Sequence, residues 1–78
     1  MRLISQNKAY DVPYESSIIS IEEGLDDGDW GIVSQTGNTE HVLAIYSAQE
    51  VKNAIFLMHK AYDDDAKYFQ FPQRRKNR

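Results

Sequence analysis

The segment from Ser47 to Asp64 is the only long part of this 78-residue chain with a helical period. Ser47 followed three residues later by Glu50 is the pattern of a capping box, in which each side chain bonds the other residue's backbone N–H. The larger apolar residues then recur at spacings of four, three and four and so share one helix face: Val51, Ile55, Met58 and Tyr62. Ordering a helix of this length costs about 1–2 kcal/mol per residue in backbone entropy. The helix predicted over Ser47–Tyr62 must therefore cover a second layer.

That second layer is predicted to be a β-sheet, because the rest of the chain consists of short strand-like pieces divided by turn residues. We expect an α+β fold with a four- to five-stranded, mainly antiparallel sheet, one face of which the helix covers. The last aromatic piece either adds an edge to the sheet of its own chain or of a neighbour, or forms an extended arm. The predicted strands are Arg2–Ser5, Ala9–Tyr14, Ser17–Ile21, Trp30–Gln35, His41–Tyr46 and Lys67–Phe71.

Turn residues predict how some of these strands connect. Asn7 tolerates a positive φ, which suits a tight hairpin between the first two strands, and Gly37-Asn38 suits a two-residue hairpin. Pro13 lacks a backbone N–H, so it should lie at an edge or at a strand end. The three isoleucines of Ser17–Ile21 cannot all share one face. This pattern favours either a central strand or a strand on which an oligomer packs.

The length predicts a single domain over residues 1–72, followed by a basic disordered tail over residues 73–78. There is no cysteine and no apolar run long enough to span a bilayer, and the N-terminus is too polar for a signal peptide. We therefore expect a cytoplasmic protein without a membrane partner. A core this small is marginal, and a homodimer or higher oligomer is one usual remedy.

The basic residues are concentrated at the end of the chain, where four of nine occupy the last five positions: Arg74, Arg75, Lys76 and Arg78. The rest of the chain then has five basic and twelve acidic residues, a formal charge of −7. Such a body is a poor nucleic-acid surface, because affinity for nucleic acid depends on neutralising phosphates. The tail alone could neutralise about four phosphates, enough for weak, salt-sensitive binding. The alternative is a tail that only aids solubility.

The acidic segment Glu22–Asp29 is predicted to be a loop between strands. Asp26, Asp27 and Asp29 surround Gly28 and faintly resemble a calcium-binding loop, but the spacing of an EF-hand and its glutamate at position 12 are missing. We therefore predict no metal site and treat the three aspartates as candidate partner-binding residues on a solvated turn.

Two aromatic residues are further candidates for partner binding. Phe56 lies among Lys52, His59 and Lys60 on the helical wheel, so either a loop or the tail covers it, or it is exposed at a contact. Trp30, the only tryptophan, either caps one end of the core or lines a binding surface.

The sequence contains no recognisable catalytic set. Nucleophilic catalysis requires a nucleophile, a base and a residue that orients the base. The two histidines, His41 and His59, are placed at a strand start and on the polar helix face, where ordinary surface or half-buried roles are expected. Phosphate-binding, dinucleotide-binding and zinc motifs are absent from the sequence. We therefore predict a protein that is not an enzyme and that needs no cofactor.

Three motifs carry a resemblance to a known group of proteins: M-R-L-I-S-Q at the start, D-V-P-Y-E at Asp11–Glu15 and I-Y-S-A-Q-E at Ile45–Glu50. The chain resembles short uncharacterised proteins encoded by phages and prophages of Gram-positive bacteria. In that group a central β segment varies and a helix follows a Y-S-T-x-E-like start. The resemblance hardly covers Glu22–Thr39, and it implies kinship without naming a chemistry.

Phage kinship, small size and negative charge together favour a non-catalytic binding protein that inhibits a host defence factor, in the manner of an anti-CRISPR or other anti-defence protein. An oligomeric sponge for a small nucleotide signal, a nucleic-acid-binding accessory protein that uses the tail, and a structural element of the virion are the alternatives.

Overall fold

A computed structural model describes residues 1–24 and 28–74 of the protein. Within them the chain forms β1 (Arg2–Ile4), β2 (Asp11–Pro13), β3 (Ile18–Glu23), β4 (Asp29–Thr36), β5 (Thr39–Ser47), α1 (Ala48–Asp63) and β6 (Tyr68–Gln70). The α+β class and the mainly antiparallel pairing are confirmed. The strands divide into two three-stranded sheets, so the prediction of one sheet with four to five strands is wrong. The α1 helix is too short and too polar to cross a membrane, and the described residues contain no other helix that could.

The larger sheet has the order β3–β4–β5 and is antiparallel throughout, whereas the smaller has the order β2–β1–β6 with β6 parallel to β1. Gln6, just after β1, links the two sheets. Its backbone N–H donates to the Leu43 carbonyl (2.7 Å), and its side-chain Oε1 accepts the Ile45 N–H (3.1 Å). Gln6 thus forms both hydrogen bonds at this part of the β5 edge without belonging to a strand of the larger sheet.

The two predicted hairpins are present, but the first uses a different turn residue. Lys8, rather than Asn7, has the positive φ of 64°. Asn7 stabilises the turn through its side chain instead, since Oδ1 accepts the Ala9 N–H (3.0 Å) and the Ser5 hydroxyl (2.7 Å). In the second hairpin Gly37 has a φ of 61° at the first of two loop residues, the position where type II′ turns favour glycine.

The helix begins as the sequence predicts, with Ser47 as the N-cap and both hydrogen bonds of the capping box formed. Val51 and Met58 of the predicted face are buried, together with Ala54 beside them. Ile55 is only half-buried and Tyr62 is 44% exposed. The helix packs on the sheets with only one side of its apolar stripe. Ile55 and Tyr62, on the other side of the stripe, face a groove.

Side chains from both sheets and from α1 form one core. Phe71, directly after β6, is the largest fully buried side chain, and Trp30 is half-buried against the margin of the core, as the core-capping interpretation predicts. The buried members of the core are Leu3, Val12, Ile32, Leu43, Ala44, Tyr46, Val51, Ala54, Met58 and Phe71. The aromatic C-terminal strand is thus part of the chain's own domain, and the residue that follows it, Phe71, is buried in the core.

A bulge in β5 determines which of its residues face the core. The pairing register shifts between Ile32 and Val33, so Val33 pairs with Val42 while Ile32 pairs with Ala44. Leu43 is the extra residue, and both Leu43 and Ala44 are buried. Val42 and Ile45 consequently point to the outer face of the sheet although they are three positions apart.

The strand β3 lies at one edge of the larger sheet, so the central-strand interpretation of Ser17–Ile21 is wrong. Its isoleucines instead point to opposite sides of an edge strand. Ile19 and Ile21 pair with Ser34 and Ile32 and share their helix-facing side, whereas Ile18 pairs with Gln35 and is 67% exposed on the outer side. The strand also extends through Glu22 and Glu23, which were expected in the following loop.

Candidate functional site

An open groove lies between the edge strand β3 and one side of α1. It encloses about 610 Å³, within the range of about 300–1,000 Å³ that ligand sites commonly occupy. Its apolar lining comes from both elements and from the segment before β3, and three polar residues interrupt it. The lining residues are Tyr14, Glu15, Ser17, Ile19, Ile21, Ile55, Met58, His59 and Tyr62.

The periods of the two elements place these side chains in the groove. Ile19 and Ile21 are two positions apart on β3 and therefore point to the same side. On α1, Ile55, His59 and Tyr62 follow at spacings of four and three, so they form a row along the helix side that faces β3. The ring of Tyr62 contacts the ring of Tyr14, with 4.8 Å between the centroids, and this pair closes one end of the groove.

Carboxylates surround the groove. Glu15 lies at the Tyr14 end, where the N-terminal amine of Met1 donates to its Oε2 (2.5 Å), and this hydrogen bond lowers the pKa of Glu15. At the other end of β3, Glu22 and Glu23 are exposed, and neither forms an ion pair with any residue in the described ranges. The unpaired charge on β3 is therefore negative, whereas on α1 the exposed Lys52, one turn before Ile55, also has no ion pair within the described residues.

Phe56 is 63% exposed, so no loop or tail segment within residues 1–24 and 28–74 covers it. It follows Ile55 by one position, which places it about 100° around the helix axis from the groove row. His59, three positions after Phe56, is its neighbour on the helix surface and itself lines the groove. An exposed aromatic side chain thus stands on the outer shoulder of the groove.

Asp29 and Trp30 begin β4, away from the groove. Both Asp29 carboxylate oxygens accept hydrogen bonds from the Arg74 guanidinium, each at 2.8 Å, and Arg74 also approaches Glu50 at 3.7 Å. The bidentate pair lowers the pKa of Asp29 and raises that of Arg74. Arg74 and Asp29 are therefore engaged with each other. The other residues proposed for the acidic loop and the basic tail lie outside the described residues: Asp26, Asp27, Arg75, Lys76 and Arg78.

The two histidines line different depressions of the surface. His59 is exposed on α1 beside the groove, whereas His41 is half-buried on β5 under the ring of Tyr10, with centroids 4.3 Å apart. Nδ1 of His41 and Oγ of its cross-strand neighbour Ser34 are both buried, and neither has a hydrogen-bond partner among residues 1–24 and 28–74. Ser34 is fully buried, so its hydroxyl is not accessible to a substrate.

The part of the chain that the structure describes contains no group of three or more histidine or acidic side chains placed to hold a metal ion. Comparison with known proteins finds no matching protein-family model, curated protein or solved structure. The fold defines a small α+β protein, and the groove with Phe56 on its shoulder is the surface feature to be explained.

Sequence reasoning did not find the groove. The signal was present in the isoleucines of Ser17–Ile21, whose spacing shows that both sides of the strand carry apolar groups. The same spacing suits a central strand or a strand on which an oligomer packs, because position in the sheet cannot be read from spacing. The helical period likewise places Tyr62 in the apolar stripe but does not show how much of the stripe the neighbouring elements cover.

Proposed function

We propose that this protein acts without catalysis, as a phage-encoded protein that docks on a protein of the host cell and inhibits a defence factor. The observation that supports this best is the open apolar groove between β3 and α1, with the exposed Phe56 beside it. Exposed aromatic and branched apolar side chains that border a polar rim are typical of protein-binding surfaces.

Charge supports a basic partner surface. The body of the chain has a formal charge of −7 when the four basic residues of the tail are set aside. An acidic surface accelerates association with a basic one and disfavours acidic partners. The nucleic-acid channel of a defence nuclease has the required positive charge, and a protein seated there would exclude the nucleic acid.

The test is relief of defence in bacteria that carry one nuclease-based system each, measured as the plating efficiency of a restricted phage with and without expression of the protein. We expect plating to rise for the system that is inhibited. Phe56→Ala should abolish the effect, whereas Tyr68→Ala should not. Tyr68 is the matched control because it is also an aromatic residue at 63% exposure, on the smaller sheet.

Two results would contradict the proposal. The first is that no system in a broad panel is relieved although the folded protein accumulates. The second is that Phe56→Ala and Tyr68→Ala have equal effects on relief, since the surface beside the groove would then have no special part in it.

A second candidate, the oligomeric sponge for a nucleotide signal, is favoured by the outer face of the larger sheet. Ile18, Val42 and Ile45 are exposed there at 67%, 43% and 37%. This function requires sites between subunits, so the protein must self-associate. Light scattering after size-exclusion chromatography tests the requirement, and a monomer at high micromolar concentration would contradict it.

A further inference from the structure

The edge strand β3 has an unpaired side directly beside the groove. In the described part of the chain, the backbone of Ile18–Glu23 pairs with β4 on one side, and no strand or side chain bonds its other side. An exposed edge offers a row of N–H and carbonyl groups to a further strand. Edge strands are commonly protected by bulges, prolines or charged side chains. On β3 the glutamates at positions 22 and 23 supply such charges at one end, and residues 18–21 carry none of these features.

The groove lies where the side chains of an added strand would go. A strand paired to β3 would lie about 4.8 Å farther from the centre of the sheet, and every second side chain would point towards α1. Those side chains would cover Ile21, which is 42% exposed, and would contact Ile55 and His59 on the helix.

We propose that the groove binds an extended segment of another protein, which joins β3 as a fourth strand and carries apolar residues at alternate positions with basic residues between them. This proposal rests on the proposed protein-binding function and names its mode. Backbone hydrogen bonds supply much of the affinity in such complexes, and pockets for alternate side chains supply specificity.

The charges beside β3 select a basic segment. Glu22 and Glu23 are exposed on the strand itself and have no cationic partner within residues 1–24 and 28–74. A second copy of the chain would add its own net charge of −3. A lysine- or arginine-containing segment of another protein is therefore the better complement.

The first experiment uses the full chain and a capped peptide of about eight alternating valines and lysines, long enough to pair along a typical strand. Binding is followed by amide chemical-shift changes in a titration. We expect saturable shifts at the amides of Ile18–Glu23 and along the groove-facing row of α1. The same peptide with N-methyl groups on alternate residues cannot form the backbone ladder and should bind about tenfold more weakly or not at all.

Two substitutions on the same strand provide the matched comparison. Ile21→Ala removes a side chain that faces the groove, and Ile18→Ala removes the same atoms from the opposite side of β3. We expect Ile21→Ala to weaken peptide binding by about tenfold and Ile18→Ala to leave it unchanged within about twofold. Amide spectra of the free variants check that both are folded. If Ile21→Ala is unfolded, Ile55→Ala replaces it as the groove variant.

A third comparison tests the charge. In Glu22→Gln/Glu23→Gln the affinity for the lysine-containing peptide should fall and its dependence on salt should weaken, because exposed charges are screened by salt. A peptide with glutamate in place of lysine should bind the original protein more weakly than the lysine-containing peptide does.

The proposal is overturned if the N-methylated peptide binds equally well, if Ile18→Ala and Ile21→Ala have equal effects, or if β3 proves to pair with a second copy in solution. These outcomes are distinct from failure of the proposed function. If relief of defence depends on Phe56 while the β3 amides do not respond to strand-forming peptides, then the protein binds its partner through the helix and only strand addition is wrong.

Discussion

Two buried serines should respond in opposite ways to the same substitution. Ser34 and Ser5 are both fully buried, but only one of them has its hydroxyl satisfied. Oγ of Ser34 has no hydrogen-bond partner among the described residues. Oγ of Ser5 donates to Asn7 Oδ1 (2.7 Å) and accepts the Tyr10 N–H (2.9 Å). Replacement by alanine removes the same atom from each site and isolates the effect of its hydrogen bonds.

The magnitude for Ser34→Ala follows from two opposing effects. Burial of a hydroxyl without a compensating hydrogen bond costs about 1–3 kcal/mol, and the substitution removes this cost. The void left by one oxygen, roughly 10–15 Å³, costs about 0.2–0.4 kcal/mol at the slope found for core cavities. We therefore expect Ser34→Ala to raise the free energy of unfolding by about 1 kcal/mol, or the melting temperature by about 4–8 °C in a chain of this size.

Ser5→Ala should lower the free energy of unfolding by about 1–3 kcal/mol, because the backbone N–H of Tyr10 loses its acceptor in a part-buried turn. Urea unfolding of the original protein and both variants, followed by tryptophan fluorescence, measures the difference. A destabilised Ser34→Ala would refute the reasoning, since it would show that the Ser34 hydroxyl makes a favourable interaction in the folded protein.

Three further perturbations test other parts of the structure. Arg74 lowers the pKa of Asp29, so the pair contributes stability that is present above the pKa of an unfolded aspartate, about 3.9. This contribution is lost as the pH falls through the lower pKa of the folded state. Arg74→Ala should remove the contribution and flatten the pH dependence of stability in the acid range. Burial, with a smaller contribution from the charge of Glu50, raises the pKa of Tyr46 to about 12. The unfolded chain therefore loses this proton first, stability should fall between about pH 10 and 12, and Tyr46→Phe should remove that part of the fall. Gln6→Ala should lower the free energy of unfolding by about 1–2 kcal/mol, because the Ile45 N–H loses its bond at the β5 edge.

Controls and contrary outcomes differ for these three. Lys60→Ala removes another exposed cation, whose ion pair with Asp64 is longer at 3.4 Å, and should leave the pH dependence of stability in the acid range unchanged. If Lys60→Ala flattens this dependence as much as Arg74→Ala does, the role of Arg74 is contradicted. Phenolate absorbance of the original protein should show a titration step near pH 12 that Tyr46→Phe lacks, and the absence of this step would contradict burial of Tyr46. Gln49→Ala alters an exposed glutamine on α1, and an effect as large as that of Gln6→Ala would show that the link between the sheets is unimportant.

The fold class could be predicted because local patterns carry it. The capping box at Ser47 and Glu50 is formed by residues three apart, and the Gly37-Asn38 hairpin depends on one residue that tolerates positive φ. Neither needs a distant partner. The first hairpin shows the limit of this reasoning: the sequence indicates a turn, but Asn7 stabilises it by side-chain hydrogen bonds while Lys8 takes the positive φ.

The candidate site could not be predicted because it depends on which strands neighbour each other. The exposed state of Phe56 was one of two open alternatives, and its helical position could not decide between them. Ile21 lines a groove only because β3 is an edge strand and α1 leaves that edge uncovered. No local feature of Ser17–Ile21 differs between an edge strand and a central strand.

The sequence by itself determined the kinds of element in this protein, their approximate limits and the negative charge of its body, since these depend on neighbouring residues and on composition. Tertiary structure alone decided that the six strands of the described residues divide into two sheets, that Phe71 is fully buried in the core, and that the bulge at Leu43 turns Val42 and Ile45 outward. The physical reason is that hydrogen-bond pairing and close packing join residues far apart in the chain. Side-chain direction in a strand alternates only as long as that pairing remains in register.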